Sequence, residues 1–265
     1  MMMPQLHGKL AAEDFFIYAA SDDKYFDDFG RSIINSVIAN TNNHLHLHLY
    51  NPRDDQLYFL EGKERVSVSY EYVSLNVFDT AAAHWDTPPT STIEKNRYLS
   101  TVGAMQRGND FHLQDRMRKT YYACARFIRL NQLLPRVSKF LAIDIDAVVR
   151  KNIPLMPDTY DFYFHRITGP KARFLAGGLY CNNTTNSLRF LNEYASVLQQ
   201  SIQRDYLYWG LDQAVLEDIV PKYNWSMLPL AYIDWFMKPD SYIWTAKGQR
   251  KELEIFISEQ KKYNS

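Results

Sequence analysis

Two aspartates separated by one residue are the side chains of this sequence that most clearly predict chemistry. Asp144 and Asp146 follow the apolar run from Phe140 to Ile143. Residues two apart in a strand project to the same face, so both carboxylates are expected at the carboxyl edge of a sheet, where open α/β folds bind ligands. Two buried like charges repel each other unless a cation lies between them. Oxygen ligands suit Mn²⁺ or Mg²⁺, and two carboxylates leave coordination sites open for a diphosphate.

The aspartate pair also has other interpretations. It is compatible with a solvated loop, a helix N-terminus or a structural ion site. In haloacid-dehalogenase-type phosphatases, a residue such as Asp144 is the nucleophile and one such as Asp146 the acid–base group. That class places the motif near the N-terminus with a paired-acid motif downstream, and this sequence shows neither feature clearly. The position after a strongly apolar strand favours a functional site.

Alternating strand and helix patterns predict the sheet that positions these carboxylates. A buried strand from Phe15 to Ala20 precedes a helix from Tyr25 to Ala39, whose apolar residues have helical spacing. Strands over His44–Tyr50 and Val66–Val73 follow, and a helix over Asp115–Leu134 leads into the aspartate strand. This βαββ opening indicates an α/β fold with a mostly parallel central sheet flanked by helices.

The sequence predicts a single domain. We find no repeat, low-complexity tract or Gly/Ser-rich linker in its 265 residues. A nucleotide-binding part is expected over about residues 13–150 and an acceptor and catalytic part over about 151–265. The irregular stretch from Thr80 to Gly108, which contains Pro88-Pro89, is long enough to be a lid or an acceptor loop.

Composition excludes several classes of protein. Thirty basic and thirty acidic residues cancel, so binding to nucleic acid or an anionic membrane is not expected. No apolar run is long enough for a signal peptide or transmembrane span, and the cysteines Cys124 and Cys181 make no disulfide framework. A cytoplasmic location is therefore expected.

A histidine strand offers a second candidate metal site. His44, His46 and His48 lie on one face of the alternating segment HLHLHLY, as a zinc site on a strand requires. Any half-buried strand shows the same alternation, and no carboxylate or cysteine adjoins the histidines. The pattern favours an ordinary strand.

Four blocks of the sequence, taken in order, resemble the GT-A glycosyltransferases, particularly those similar to family 8. The central block is YYACARFIRLNQLLPRVSKFLAIDIDAVVRKNIP, with an arginine-bearing helix before the aspartates. FFIYAASDDKYF resembles the first strand and turn, FLAGGLYCN the donor-sugar segment, and WGLDQ the motif beside the reacting centre. The resemblance spans roughly Phe15 to Lys251. It implies a GT-A type fold, Rossmann-like, with the D-x-D motif at the carboxyl end of a strand.

The resemblance also implies an activity and a set of site residues. A sugar would move from a nucleoside-diphosphate sugar, with uridine the implied base, to a carbohydrate or other hydroxyl acceptor, with retention of anomeric configuration. Asp144 and Asp146 would bind Mn²⁺ or Mg²⁺, Asp212 would contact the sugar hydroxyls, and Gln213 would lie near the anomeric carbon. The implied donor-binding residues are Ala19, Ala20, Ser21, Asp22, Tyr25, Arg126, Asp144, Ile145, Asp146, Gly177, Gly178, Lys247, Gly248 and Lys251.

Alternatives remain open at several of these positions. Gly177-Gly178 is compatible with a turn, Asp212 with a residue that satisfies helix N-terminal donors, and the segment KGQRK with a solvated basic turn. Trp244 or Thr245 stands where the family has a metal-binding histidine, which is compatible with a binding protein that lacks turnover. A nucleotidyltransferase would need a Gly-rich basic loop after the first strand, which the sequence does not contain.

Overall fold

The structure is a computed structural model that describes residues 2–83, 85, 113–134, 138–168, 173–246 and 248–264. The lid predicted over Thr80–Gly108 lies almost entirely outside these residues. Its described beginning, residues 80–83, is not irregular but belongs to a helix. Alanines at positions 81–83 have the highest helix propensity, which explains the difference.

The described residues form ten strands in two sheets. In chain order they are β1 (His7–Gly8), β2 (Phe15–Asp22), β3 (His44–Tyr50), β4 (Val66–Glu71), β5 (Lys139–Ile143), β6 (Ala147–Val149), β7 (Phe162–Ile167), β8 (Arg173–Cys181), β9 (Trp225–Met227) and β10 (Ile243–Thr245). The large sheet has eight strands in the order β1-β4-β3-β2-β5-β8-β7-β9, and β6 pairs with β10 separately. Strands β4, β3, β2 and β5 are parallel, whereas β8 is antiparallel to β5. The prediction of a mostly parallel sheet is confirmed.

Helices cover both faces of the large sheet. They are α1 (Asp23–Tyr25), α2 (Arg31–Asn40), α3 (Asp54–Leu60), α4 (Val77–Ala83), α5 (Leu113–Leu133), α6 (Thr185–Gln203), α7 (Leu211–Ile219) and α8 (Glu254–Lys261). A π-helical turn, Phe26–Gly30, joins α1 to α2, and 3₁₀ turns occupy Val220–Lys222 and Gly248–Glu252. Among the described helices, none is long and apolar enough to cross a membrane.

The core consists of two apolar layers, one on each side of the sheet. Met117, Tyr121 and Cys124 of α5 pack on one side, together with buried residues of α4, α6 and α7. Ile33 and Val37 of α2 pack on the other side. Successive residues of β2 and β3 therefore contribute to opposite layers, because side chains alternate along a strand. The large sheet contains strands from both parts of the chain distinguished in the sequence.

The histidine strand is buried on both faces, so the expectation of a half-buried strand is wrong. Its histidines form a hydrogen-bonded ladder with two serines of β4. His46 Nδ1 lies 2.7 Å from Ser67 Oγ, and His46 Nε2 lies 2.9 Å from Ser69 Oγ. His44 Nε2 contacts Ser67 Oγ and His48 Nδ1 contacts Ser69 Oγ, each at 2.9 Å. Within the described residues, no group of three or more His, Cys, Asp or Glu could hold a metal ion. The ladder pairs both ring nitrogens of His46 and Nδ1 of His48, whereas the buried His48 Nε2 has no hydrogen-bond partner among the described residues.

Candidate functional site

A cleft opens at the carboxyl ends of β2, β3 and β5, and we call it the strand-end cleft. Its volume is about 980 Å³, including its open mouth. Parallel strands bring their carboxyl ends to one edge, so segments distant in sequence meet there. The lining residues are Ala20, Ser21, Asp22, Tyr25, Tyr50, Lys119, Tyr122, Ala123, Arg126, Asp144, Ile145, Asp146, Trp209, Gly248 and Lys251.

The aspartate pair lies in a bend between β5 and β6, not within a continuing strand as the spacing argument assumed. The chain leaves the large sheet after Ile143, and β6 pairs with β10 instead. Both carboxylates still line the strand-end cleft. The side chain of Asp144 is 49% exposed and that of Asp146 only 13% exposed, so the bend separates a solvated carboxylate from a buried one.

Arg126 links the aspartate bend to the start of α7. Its guanidinium donates to Asp144 Oδ1 at 2.7 Å, and its Nη2 lies 3.8 Å from Asp212 Oδ2. Burial disfavours the charge of Arg126, but the neighbouring carboxylates of Asp144 and Asp212 outweigh burial and raise its pKa. Arg126 therefore stays cationic at the centre of the site.

Lys251 neutralises the second aspartate. Its ammonium lies 2.6 Å from Asp146 Oδ2 and 3.3 Å from the Tyr25 hydroxyl. Burial and then the charge of Asp144 raise the pKa of Asp146, and Lys251 opposes this rise. Burial disfavours the charge of Lys251, but the Asp146 carboxylate outweighs it and raises the pKa of the ammonium. The segment Gly248–Glu252 is a 3₁₀ turn without a buried residue, and two of its residues, Gly248 and Lys251, line the cleft.

The glycine pair lies in the middle of β8, so its interpretation as a turn is wrong. The antiparallel register places Ile143 opposite Gly178, which brings β8 beside the aspartate bend. A Cβ atom at Gly177 would lie 2.2 Å from Asp144 Oδ2, and one at Gly178 would lie 2.5 Å from His165 Cβ. Each glycine therefore makes room for a different side chain.

Asp212 and Gln213 lie in the first turn of α7 and line a second cavity beside the cleft, which we call the adjoining cavity. The N-cap of α7 is Gly210, in the left-handed conformation at φ 84°, so Asp212 is not the capping residue. The Tyr194 hydroxyl donates to the Asp212 carbonyl at 3.0 Å and fixes this turn. The cavity is lined by Thr120, Ala123, Arg126, Asp144, His165, Leu175, Ala176, Gly177, Trp209, Gly210, Asp212, Gln213, Trp235 and Thr245.

The first strand contributes some of its predicted residues to the cleft. Ala20, Ser21, Asp22 and Tyr25 line it, whereas Ala19 is fully buried in the core layer of α2. Asp22 caps α1 by accepting a hydrogen bond from the Tyr25 amide at 2.8 Å, and burial raises the pKa of its carboxyl group. Gly178 is absent from the described lining of both cavities, and Lys247 lies outside the described residues.

Sequence reasoning missed the polar face of α5. Lys119, Tyr122 and Ala123 line the cleft together with Arg126. Residues three and four apart lie on one face of a helix, so the known position of Arg126 was sufficient to predict the others. Local sequence patterns do not predict four other lining residues, because contacts between distant segments bring them to the site. They are Tyr50, Trp209, His165 and Trp235.

Of Trp244 and Thr245, it is Thr245 that lies at the candidate site. Its side chain lines the adjoining cavity, and its Oγ1 donates to the Asp146 carbonyl at 3.2 Å. Trp244 instead packs with Val148 and Phe256. The carboxylates of Asp144 and Asp146 are oxygen ligands, the type that hard divalent ions prefer. Two such ligands leave the remaining coordination to a diphosphate and water.

Comparison with known proteins yields structural likeness only. No protein-family profile and no curated protein sequence matches this chain. The glycosyltransferase GlyE of Streptococcus pneumoniae TIGR4 superposes with a TM-score of 0.56 at 12% identity, over 94% of this chain and 60% of that one. The bifunctional glycosyltransferase WbbM gives 0.53 at 15% identity, over 95% and 51%. The galactosyltransferase LgtC, solved with donor and acceptor sugar analogs, gives 0.50 at 12%, over 94% and 96%.

These likenesses establish the fold. The chain has a mixed α/β architecture of the GT-A type, with a large, mostly parallel central sheet flanked by helices. It spans about half to three fifths of the length of WbbM and GlyE, and almost all of LgtC.

Proposed function

We propose that this protein is a glycosyltransferase that moves a sugar from a nucleoside-diphosphate sugar, with UDP-sugars the first donors to test, to a hydroxyl acceptor. The observation that carries the proposal is the convergence of Asp144, Asp146, Arg126, Lys251 and Asp212 on two adjoining cavities. These side chains come from two of the blocks that resemble family 8 and from the carboxyl end of the matched region. The GT-A fold supports the same conclusion.

The strand-end cleft has the charges needed to hold a diphosphate. Lys119, Arg126 and Lys251 supply positive charge along its lining, and the aspartates would hold Mn²⁺ or Mg²⁺. When bound, such an ion stabilises the negative charge that develops on the leaving group. In the ion-free protein, Arg126 and Lys251 balance the two carboxylates. Binding a diphosphate would redirect both cations toward the phosphate oxygens.

The adjoining cavity would place the donor sugar and the acceptor. Gly177 leaves space beside Asp144, and Asp212 would accept hydrogen bonds from sugar hydroxyls, with Gln213 near the anomeric carbon. The acceptor oxygen bonds to the anomeric carbon as the bond to the diphosphate breaks. The diphosphate keeps the electron pair and takes up the hydroxyl proton. Retention of anomeric configuration and a cytoplasmic location belong to the same proposal.

Release of the nucleoside diphosphate tests the proposed function. The wild-type protein and Asp146→Asn would be incubated with UDP-, GDP- and ADP-sugars, with Mn²⁺ or with EDTA. We expect Mn²⁺-dependent release of the nucleoside diphosphate from one donor family. In Asp146→Asn the rate of release should fall by at least about 100-fold, because the variant lacks a carboxylate proposed to hold the ion that stabilises the leaving-group charge.

The matched control for this experiment is Asp158→Asn, at a surface carboxylate that is 67% exposed and paired with Lys139. It should release the nucleotide at the wild-type rate. Tight nucleotide binding without any release would favour a GT-A binding protein that lacks turnover. Equal release by the wild type and Asp146→Asn would contradict the proposed role of the aspartate bend.

A further inference from the structure

Two tryptophans line the adjoining cavity beside the reacting residues. Trp209 immediately precedes Gly210, and Trp235 lies in the loop between β9 and β10. Both share the cavity with Asp212 and Gln213. The cavity thus combines aromatic surfaces with a few polar groups, a combination typical of sites for small organic ligands.

A buried aspartate holds the loop that carries Trp235. Asp234 Oδ1 accepts a hydrogen bond from the Phe236 amide at 2.7 Å. Its Oδ2 accepts from the Lys238 amide and the Ser241 hydroxyl, each at 2.7 Å. The backbone of Asp234 also forms a bridge with Trp244. These bonds fix the loop before any ligand arrives, so Trp235 is presented on a preorganised support.

The indole of Trp235 packs against a buried histidine. The ring centroids of His165 and Trp235 are 4.7 Å apart, with an interplanar angle of 36°. His165 in turn packs across Gly178, where any Cβ atom would lie 2.5 Å from that of the histidine. The second glycine of the pair therefore accommodates the residue that supports Trp235.

Trp209 is supported by Arg116 and by the turn into α7. Its indole is 45% exposed, and the Arg116 guanidinium lies 4.5 Å from the ring centroid. The left-handed Gly210 turns the chain directly after it into α7. Trp209 therefore presents an accessible aromatic surface on the wall of the adjoining cavity.

We propose that the adjoining cavity binds the acceptor as a sugar ring stacked on Trp235 and Trp209, so that the acceptor is a saccharide. This inference rests on the proposed function. A pyranose has an apolar C–H face that suits an indole. One hydroxyl at its edge would reach the donor's anomeric carbon near Gln213, and Thr245 can hydrogen-bond another. A serine side chain or a linear alcohol has the hydroxyl but no ring face.

Direct binding tests this inference without requiring turnover. Saturation-transfer NMR in the presence of UDP and the diamagnetic ion Mg²⁺ would use the methyl β-glycosides of glucose, galactose, xylose and N-acetylglucosamine as probes, with N-acetylserine amide for comparison. At least one glycoside should bind more tightly than N-acetylserine amide. In Trp235→Ala its affinity should fall about 10-fold, as loss of aromatic stacking predicts. Trp235→Phe should retain most of the affinity.

The control is Phe236→Ala, which removes a neighbouring aromatic that is 65% exposed and absent from the described lining of the cavity. It should leave glycoside binding unchanged. Equal binding by the wild type and Trp235→Ala, no binding of any glycoside, or tighter binding of N-acetylserine amide would overturn the inference. Failure of the proposed function has a different signature, because none of UDP, GDP and ADP would then bind the wild type.

Discussion

Arg126 connects segments that are far apart in the sequence. It extends from α5, donates to the carboxylate of Asp144 after β5, and lies near the carboxylate of Asp212 in the first turn of α7. Asp144 is half-exposed, but Asp212 is buried, so the two carboxylates depend on the guanidinium to different degrees. We therefore propose that Arg126 has a structural role at Asp212 and a ligand-binding role at Asp144.

Arg126→Met should destabilise the protein because it removes the guanidinium that lies beside the buried Asp212 carboxylate. Breaking a buried pair by removing one partner costs about 3–5 kcal/mol, which urea unfolding would measure. Arg53→Met is the matched control, because Arg53 pairs with Asp27 and Asp55 on the surface, where ion pairs contribute little. Similar losses in the two variants would contradict the account of Arg126.

Gly177→Ala should impair nucleotide binding without unfolding the protein. The added methyl group would lie 2.2 Å from Asp144 Oδ2, so the carboxylate must move away from Arg126. We expect about 10-fold weaker binding of UDP with Mn²⁺ by calorimetry, equivalent to about 1.4 kcal/mol. Gly178→Ala is the contrasting variant, because its methyl group meets His165 instead. An equal effect on UDP affinity in both variants would count against this role of Gly177.

Among the elements, helix α5 has one face that packs in the core and another that lines the strand-end cleft. The apolar stripe through Met117 and Cys124 packs in the core, while Lys119 and Arg126 face the cleft. One turn beyond Arg126, the buried Arg129 forms an ion pair with Glu71 of β4, and Glu71 also accepts from the Tyr121 hydroxyl at 2.9 Å. The buried pair fixes the rotation of α5 about its axis and so aims its polar face at the aspartate bend.

Strand β3 should make stability depend on pH. Burial lowers the pKa of His44 and His48, and lowers that of His46 to about 3. Unfolded histidine titrates at about 6.5, so the unfolded chain takes up protons first as the pH falls. The contribution of a neutral buried histidine is complete above pH 6.5 and is lost progressively below it. For His46 the loss at pH 5 is about 2 kcal/mol.

His46→Asn isolates this effect from groups that titrate in the opposite sense. Burial raises the pKa values of Asp22, Glu71 and Asp146, and protonation of these carboxyls favours the folded state as the pH falls. Urea unfolding at pH 7.5 and pH 5 should show a smaller loss of stability in the variant than in the wild type. Identical losses would rule out the histidine ladder as the pH-sensitive element.

Across the whole molecule, local patterns predicted the elements, and contacts between distant segments determined the site. Strict alternation was sufficient to predict strand β3, and apolar spacing was sufficient to predict helix α5. The aspartates also lie at a strand end, as expected. Their bend was not predictable, because it depends on the pairing of β6 with β10. The contact of His165 with Trp235 likewise requires the folded sheet. Ala19 shows the limit of motif transfer, since strand alternation directs it into the core.

Thermal melting with a panel of nucleoside diphosphates, each with Mn²⁺ or with EDTA, tests the central claim that the strand-end cleft is a nucleotide-diphosphate site. A ligand that binds only the folded state and is present at 100 times its Kd stabilises it by about 2.7 kcal/mol, or roughly 5–10 °C for a chain of this size. We predict such a rise for one nucleotide with Mn²⁺, and its loss in Asp144→Asn. No rise with any nucleotide, or an equal rise in Asp144→Asn, would contradict the claim.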